Sequence, residues 1–495
     1  MIESGSIQRS RHLNLAQRAV RGTLWVYAST YAGKFLVFLS TIILARLLLQ
    51  EDFGIAGYAL VVISFIEILQ GLGIQAALIY FKKDADRINT AFWLSLLIGL
   101  SLFLLTWFVA APLAGWFFQD PQAVPVTRLL GLTFPISALA IVHDSQLRKE
   151  LAFKRRFLPE FTRNMGKGLI AVILALLGLG YWSLIASQVA AAAIAVCVLW
   201  IIVPWRPTLK VRGHHASDLL RYGTNIVTVD ALGILLNNAD YLLIGRFLGA
   251  AALGVYTLAF RVPEFLIKQF SDMVGKVTFP AYAEIQDDNE ALKNGFLITL
   301  QYSNMITIPL GLGLALVAEP FVMTFFGDKW IEAIPVMTAI ALYTLLRALV
   351  FNTGDVYKAQ GRPELISKIK IGQALVTLPA LYLAATRIGT ITAVAWTLVF
   401  LTLIAAIVKL FIAGRVLELS FRRIALALRP SLVAGLSMSL AVIAVLHLAA
   451  GWLPAFELAI AVLTGGAVYL AVLWLLERGA VLQAGQTLRS ALVNR

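Results

Sequence analysis

Apolar blocks about as long as a membrane-spanning helix alternate with short polar connections along almost the whole chain. A helix needs roughly 20 apolar residues to cross the hydrocarbon layer of a bilayer. The connections are too short for a catalytic domain outside the membrane. The pattern therefore predicts fourteen spans, at residues 23–49, 54–80, 89–111, 124–146, 161–180, 182–204, 223–246, 252–276, 296–318, 331–353, 365–386, 390–413, 430–450 and 454–476.

The composition agrees with this pattern. Of 495 residues, 60% are hydrophobic and only 14% are charged, and the mean hydropathy is +0.83. A soluble protein keeps about a quarter of its residues charged. We therefore expect an all-α polytopic membrane protein. The single cysteine, Cys197, excludes a disulfide framework or a cysteine metal site, and the arginine-rich first 22 residues lack the apolar core of a cleavable signal peptide.

The distribution of Lys and Arg predicts the orientation in the membrane. Loops on the side of the N-terminus carry 30 of these residues, and the opposite loops carry 3. Basic loops face the cytoplasm, so both termini, including the tails 1–22 and 477–495, are predicted to be cytoplasmic. The net charge of +14 then reflects topology and contact with anionic lipids rather than nucleic-acid binding.

Two segments 200 residues apart indicate an internal repeat. ARLLLQEDFGIAGYALVV from Ala45 and GRFLGAAALGVYTLAFRV from Gly245 share Arg, Leu, Gly and Ala at equivalent positions, although apolar segments also match by chance. Each is the outer turn of a predicted six-helix set, so the two sets run in the same direction and enclose a cavity near the midplane. We predict an N-lobe at 23–204, a C-lobe at 223–413 and two further helices at 430–476.

The stretches DFGIAGYALVVISFIEILQGLGIQAALI from Asp52 and NNADYLLIGRFLGAAALGVYTLAFRV from Asn237 resemble the polysaccharide transporter family. That family belongs to the superfamily of lipid II flippases and multidrug and toxin exporters. The resemblance implies a flippase that moves an undecaprenyl-pyrophosphate-linked oligosaccharide across the bacterial inner membrane. It also implies a polymerase and a chain-length regulator of the same pathway as partners, and no catalytic cofactor.

Ionisable residues inside the predicted spans are the candidate substrate ligands, because a charge at mid-bilayer costs about 2.5–3.5 kcal/mol and usually faces a cavity or a partner. Lys34 and Lys167 in the N-lobe, with Arg261 and Arg347 in the C-lobe, are placed to hold a lipid pyrophosphate. The alternative is that they are neutralised by carboxylates in the same lobes.

Two carboxylates are candidates for that pairing or for a gate. Glu67 has a depth similar to that of Lys34 on the adjacent predicted helix, and Glu264 follows Arg261 by three residues, so each is a candidate gating residue or charge partner. An ion pair that forms in only one state of the transport cycle would make the carboxylate both a charge partner and a gating residue.

Ion coupling is predicted at the seventh span. Asp230 and Asn237 are seven residues apart and so share a helix face. Their oxygens suit Na⁺, and the carboxylate alone suits H⁺. The alternative is a buried Asp230 hydrogen-bonded to neighbouring helices.

Two other functions remain open at this point. A multidrug exporter of the same superfamily is disfavoured for cationic drugs, because like charges repel. A membrane polymerase or ligase would be expected to have a large outer loop or acidic residues near a membrane surface, and the predicted outer loops are short with no metal-ligand pattern.

Overall fold

The computed structural model describes residues 33–71, 74–81, 84–150 and 152–479. All regular secondary structure among these residues is helical. The chain divides into two compact units, with the boundary between Gly254 and Val255. The predicted all-α class is confirmed.

The first unit contains ten helices within the described residues, and an eleventh crosses the unit boundary. They are α1 (33–47), α2 (Gln50–Gly71), α3 (Ile74–Tyr80), α4 (Ala85–Leu105), α5 (Ala111–Phe118), α6 (Ala123–Gly131), α7 (Thr133–Lys149), α8 (Phe153–Leu176), α9 (Tyr181–Ile202), α10 (Gly213–Phe247) and α11 (Gly249–Pro263).

The second unit continues with nine helices in the described part of the chain. They are α12 (Gln269–Glu284), α13 (Asn289–Leu316), α14 (Ala318–Phe325), α15 (Ala333–Leu349), α16 (Thr353–Ala359), α17 (Glu364–Leu383), α18 (Ile391–Val416), α19 (Phe421–Leu448) and α20 (Pro454–Leu476).

Ten helices of the described chain are long and apolar enough to cross a membrane, or eleven if α13 and α14, bent by 69° to each other, form one span. Much of their surface faces outward: only 22% of the apolar window of α20 is buried inside the protein. Such surface suits lipid rather than water. The multi-pass architecture is confirmed, and the count of fourteen spans and the lobe boundaries stay predictions.

Side-chain caps begin several of these helices. Asp84 accepts a hydrogen bond from the backbone N–H of Asp86 at the start of α4, and Asp288 accepts one from Ala291 at the start of α13. Such caps satisfy N–H groups that have no partner within the helix. At these two helices, a polar residue of the preceding connection therefore provides the cap.

Three π-helical turns occur among the described residues; two lie within helical runs, and the third ends one. They are Thr106–Ala110, Glu264–Lys268 and Ala384–Ile388. The second follows Pro263, whose ring removes one backbone hydrogen bond and disfavours a regular turn. Glu264, a predicted gating residue, therefore lies in a widened turn, a feature that is frequent at functional sites.

The connection between α9 and α10 is held against α4. The Asn89 side chain accepts from the Thr208 N–H at 2.9 Å, and the Thr90 hydroxyl accepts from the Arg212 N–H at 3.0 Å. The Trp93 indole donates to the Thr208 carbonyl at 2.9 Å. These contacts fix the segment that leads into α10 within the first unit.

Two glycines bring α2 and the beginning of α11 into backbone contact. A methyl group on Gly54 would lie 1.8 Å from the carbonyl oxygen of Ala250, and one on Gly254 would lie 1.8 Å from that of Gln50. Neither position has space for a side chain. The contact is reciprocal, because Gly54 meets Ala250 and Gly254 meets Gln50. Positions 50 and 54 are each 200 residues before positions 250 and 254, the spacing of the predicted internal repeat.

Candidate functional site

A polar cavity of 530 Å³ lies inside the first unit. Its walls come from α2, α3, α7, α8 and α9, and its apolar side is formed by residues such as Ile141, Pro159 and Leu199. Its charged and amide side chains are those of Glu67, Gln70, Gln75, Asp144, Arg148, Arg156, Glu160 and Arg163. By the predicted topology, Glu67 lies near the middle of its span and Arg148, Arg156 and Arg163 belong to the cytoplasmic loop 147–163, so these groups lie between the midplane and the cytoplasmic side.

Asp144 is the centre of the hydrogen-bond network in the polar cavity. Its carboxylate accepts from Arg148 Nε at 2.7 Å, from Arg156 Nε at 3.1 Å and from Gln75 Nε2 at 2.7 Å. Arg148 is one turn away on α7, whereas Arg156 and Gln75 come from α8 and α3. The side chain of Asp144 is 22% exposed. One carboxylate therefore positions two guanidinium groups from different helices at the cavity wall.

Arg163 is the third arginine of the polar cavity and is exposed to it. No ion pair joins it to a carboxylate of the described residues. Glu67, on α2, is exposed and lines the same cavity. Glu160, on α8, also lines it and is half-buried. With three arginines and three carboxylates, the polar cavity is balanced in charge rather than purely cationic. Guanidinium and carboxylate groups together can bind a ligand rich in hydroxyls that also carries phosphate.

The predicted ligands Lys34 and Lys167 lie on neighbouring helices of the first unit. Helix α1 packs on α8, because a methyl group on Gly33 would lie 2.7 Å from Asn164 Nδ2 and one on Gly168 would lie 3.0 Å from Ser40 Oγ. Lys34 follows Gly33 and Lys167 precedes Gly168, and both lysines are half-buried. The substrate-binding role of both lysines stays a prediction.

Arg261 and Arg347 lie on two helices of the second unit that are in contact. The rings of Phe260 and Tyr343 pack edge to face with centroids 5.9 Å apart, so the end of α11 lies against α15. Arg347 Nη1 donates to the Tyr343 hydroxyl at 2.9 Å, and its guanidinium lies 5.4 Å from the ring. Arg261 follows Phe260 and is half-buried. The two arginines predicted to bind substrate are thus each next to a residue of one aromatic contact, and their binding role stays a prediction.

Glu264 pairs with a residue that the sequence did not single out. Lys268 Nζ lies 3.7 Å from the Glu264 carboxylate and 3.1 Å from that of Asp272, both on the same helical run. All three side chains are between 42% and 54% exposed. Exposed pairs of this spacing contribute only about 0.3–0.5 kcal/mol. The gating role of Glu264 stays a prediction.

The two residues predicted to couple transport to an ion both lie on α10. Asn237 is exposed, and the neighbouring Asn238 side chain donates to the Ile234 carbonyl at 2.9 Å. The side chain of Asp230 lies outside the described part of the structure. Ion coupling at this pair stays a prediction.

Sequence reasoning missed most of the polar cavity. By its composition, the loop 147–163 that contains Arg148, Arg156 and Arg163 indicates only the orientation in the membrane, and Asp144 is near the end of a predicted span. One local signal was present: Asp144 and Arg148 are four residues apart, a spacing that favours an ion pair on a helix. The contacts from α3 and α8 depend on tertiary packing.

Comparisons with known proteins agree with this architecture. A family model described as "Polysaccharide biosynthesis protein" matches residues 43–335. The teichuronic acid biosynthesis protein TuaB of Bacillus subtilis is 25% identical over 411 residues, 82% of this chain and 84% of that protein. The lipopolysaccharide biosynthesis protein WzxC of Escherichia coli is 26% identical over 390 residues, 77% of each chain. The succinoglycan biosynthesis transport protein ExoT of Rhizobium meliloti is 27% identical over 328 residues, 66% of each.

Solved structures identify the same fold. The lipid II flippase MurJ in an inward closed conformation superposes with a TM-score of 0.75 at 14% identity, over 92% of this chain and all of that one. An inward-facing multidrug resistance transporter of the MATE family superposes with a TM-score of 0.63 at 18% identity, over 78% of this chain and 94% of that one. The chain therefore has a MurJ-like and MATE-like fold.

Proposed function

Because the family model covers residues 43–335, the chain belongs to the polysaccharide biosynthesis protein family, and we propose that it is a lipid-linked oligosaccharide flippase. It moves an undecaprenyl-pyrophosphate-linked repeat unit from the cytoplasmic to the periplasmic leaflet of the bacterial inner membrane by alternating access. The polymerase and the chain-length regulator of the same pathway are its partners in this proposal.

The observation that carries the proposal is the polar cavity inside a unit built from apolar helices. Its 530 Å³ falls within the range of about 300–1,000 Å³ that ligand sites occupy. An oligosaccharide presents many hydroxyl groups that both donate and accept hydrogen bonds. The amides of Gln70 and Gln75 and the carboxylates of Glu67 and Glu160 are suitable partners for them, and the Arg163 guanidinium can donate hydrogen bonds to a phosphate.

The sidedness of the lipid-linked repeat unit tests the proposal against the polymerase alternative. The chain is expressed in a strain that lacks the flippase of one defined polysaccharide, and spheroplasts are probed with a glycosidase that cannot cross the membrane. A flippase makes the repeat unit accessible to the enzyme. Without a flippase, the unit stays protected in the cytoplasmic leaflet, whereas the loss of a polymerase leaves it accessible but unpolymerised. Continued protection at normal abundance of the protein in the membrane would contradict the proposal.

The role of Lys34 is tested in the same strain with three variants. If Lys34 binds the pyrophosphate, Lys34→Ala lowers export by one to two orders of magnitude, since a charge-assisted contact contributes about 1.5–3 kcal/mol. If it only neutralises Glu67, the double variant Lys34→Ala with Glu67→Ala regains full export. Export is normalised to the amount of protein in the membrane, which separates loss of folding from loss of function.

Orientation is tested by cysteine labelling. Cys197 is exposed and must first be replaced by alanine. Single cysteines at Gln119 and Ala152 should then react from opposite sides, with position 119 on the periplasmic side. Labelling of both from one side would contradict the predicted topology.

A further inference from the structure

A groove of 360 Å³ lies between the end of α18 and the beginning of α19 in the second unit. We name it the α18–α19 groove; its lining includes Leu410, Phe411, Arg415, Glu418, Leu419, Phe421 and Ile424. Helix α19 begins at Phe421, nine residues before the predicted span starts at 430. By the predicted topology, the groove lies where the cytoplasmic leaflet meets water.

The floor of the α18–α19 groove is part of a packed core. Leu410, Leu419 and Ile424 are 7%, 7% and 1% exposed and belong to one cluster of buried side chains. The turn between the helices is closed by a hydrogen bond from the Leu419 N–H to the Gly414 carbonyl at 2.8 Å. The groove is therefore preformed rather than a gap between loose segments.

The rim of the groove combines two exposed aromatic rings with Arg415, and a second arginine, Arg422, follows Phe421 in the chain. Phe411 and Phe421 are 53% and 57% exposed. The Arg415 guanidinium lies 5.0 Å from the Phe411 ring, and Arg422 is exposed on the first turn of α19. Glu418 also lines the groove, but the stretch 411–429 contains four arginines and only this one acid, so the segment around the groove is basic.

We propose that the α18–α19 groove binds an anionic phospholipid of the cytoplasmic leaflet. An acyl chain covers Phe411, Phe421 and the apolar floor, and the phosphate contacts Arg415 and Arg422. Arginines at a membrane surface attract anionic lipids, and exposed rings at the same depth prefer an apolar neighbour. Charge complementarity and the apolar floor together favour a phospholipid over a soluble phosphate or an acidic peptide. The site does not depend on the proposed flippase function.

The test measures binding of fluorescent phosphatidylglycerol to the purified full-length protein in phosphatidylcholine nanodiscs. The double variant Arg415→Gln with Arg422→Gln removes both phosphate contacts. Arg423 is left in place because it donates to the Asn294 side chain at 3.3 Å. We expect binding about 25-fold weaker, because each arginine near an anionic surface contributes roughly a fivefold factor. Phe421→Ser removes part of the apolar wall and should weaken binding several-fold.

Arg387→Gln is the matched control, since Arg387 is also exposed at a helix end, but near Gly389 on the predicted opposite side of the membrane. It should bind like the wild type. Equal binding by the double variant and the control would overturn the proposal. Undiminished binding by Phe421→Ser, or full displacement of the fluorescent lipid by millimolar inorganic phosphate, would contradict the claim that the groove binds a phospholipid. Unchanged thermal unfolding in phosphatidylcholine shows that each variant is folded.

Discussion

The two units carry their charges in different ways. In the first unit, Asp144 on α7 binds Arg156 from α8 and Gln75 from α3, so partners from several helices meet inside a cavity. In the second unit, Lys268 pairs with Glu264 and Asp272 along a single helical run, and Arg347 rests on Tyr343 of its own helix.

The difference indicates which charges depend on the fold. A pair within one helix forms wherever the helix forms, and solvent screens it. A network between helices exists only when the helices are packed, and the loss of one member leaves the others without compensation. The first unit is therefore where we expect charge substitutions to affect both folding and transport.

The largest effect is expected for Asp144→Ala. It leaves Arg148 and Arg156 without their carboxylate in a site where Asp144 is 22% exposed, and the free energy of unfolding should fall by about 1.5–3 kcal/mol, the range of a charge-assisted hydrogen bond. The matched variant is Asp272→Ala, which removes the 3.1 Å pair with Lys268 and should cost no more than about 0.5 kcal/mol. Denaturant unfolding of the purified proteins measures both. Equal losses would show that the two kinds of ion pair do not differ.

Packing gives the second contrast. Gly54→Ala places a methyl group 1.8 Å from a backbone carbonyl oxygen in the first unit and should destabilise the protein by about 1–3 kcal/mol, because the helices must move apart. Gly372→Ala, on α17 of the second unit, meets nothing within 4 Å and should stabilise it by about 0.5–1 kcal/mol. Thermal unfolding in one detergent compares them. A stable Gly54→Ala variant would contradict the close contact between α2 and α11.

The smallest effect is a pH dependence at the beginning of α10. Burial, followed by the positive charges of His214 and Arg87, lowers the pKa of His215 below its usual value, although Asp84 lies 3.0 Å from its Nε2. The folded state thus prefers the neutral ring, so this contribution to stability is present above the unfolded pKa and is lost as the pH falls below it.

His215→Gln keeps a neutral side chain, so its melting temperature should decline less between pH 7 and pH 5 than that of the wild type. His447→Gln, at the exposed end of α19, should follow the wild type. If the melting temperature of His215→Gln declines as much as that of the wild type, His215 is not the source of the pH dependence.

The sequence predicted what depends on local pattern. Apolar runs predicted the helices. The segments that begin at Ala45 and Gly245 share residues at a spacing of 200. The contacts of Gly54 with Ala250 and of Gly254 with Gln50 involve positions 50 and 54 and their counterparts 250 and 254 at the same spacing.

Charge pairing was harder to predict. The sequence suggested Arg261 as the partner of Glu264, but the turn at Glu264–Lys268 is π-helical, and the observed pair is with Lys268. The polar cavity needed the tertiary packing of α3, α7 and α8, which no single segment encodes.

In the proposed mechanism, the polar cavity of the first unit contacts the substrate during flipping. Two arginines of α8 test it directly: both are exposed, but Arg163 lines the cavity, whereas Arg155 is not among its lining residues. The measurement is the initial rate at which a lipid-linked oligosaccharide becomes accessible to a glycosidase outside proteoliposomes.

Arg163→Gln should lower that rate by about ten- to a hundredfold, the factor expected for one charge-assisted contact, while Arg155→Gln flips at the wild-type rate. Wild-type flipping by Arg163→Gln, or an equal loss in both variants, would contradict the claim.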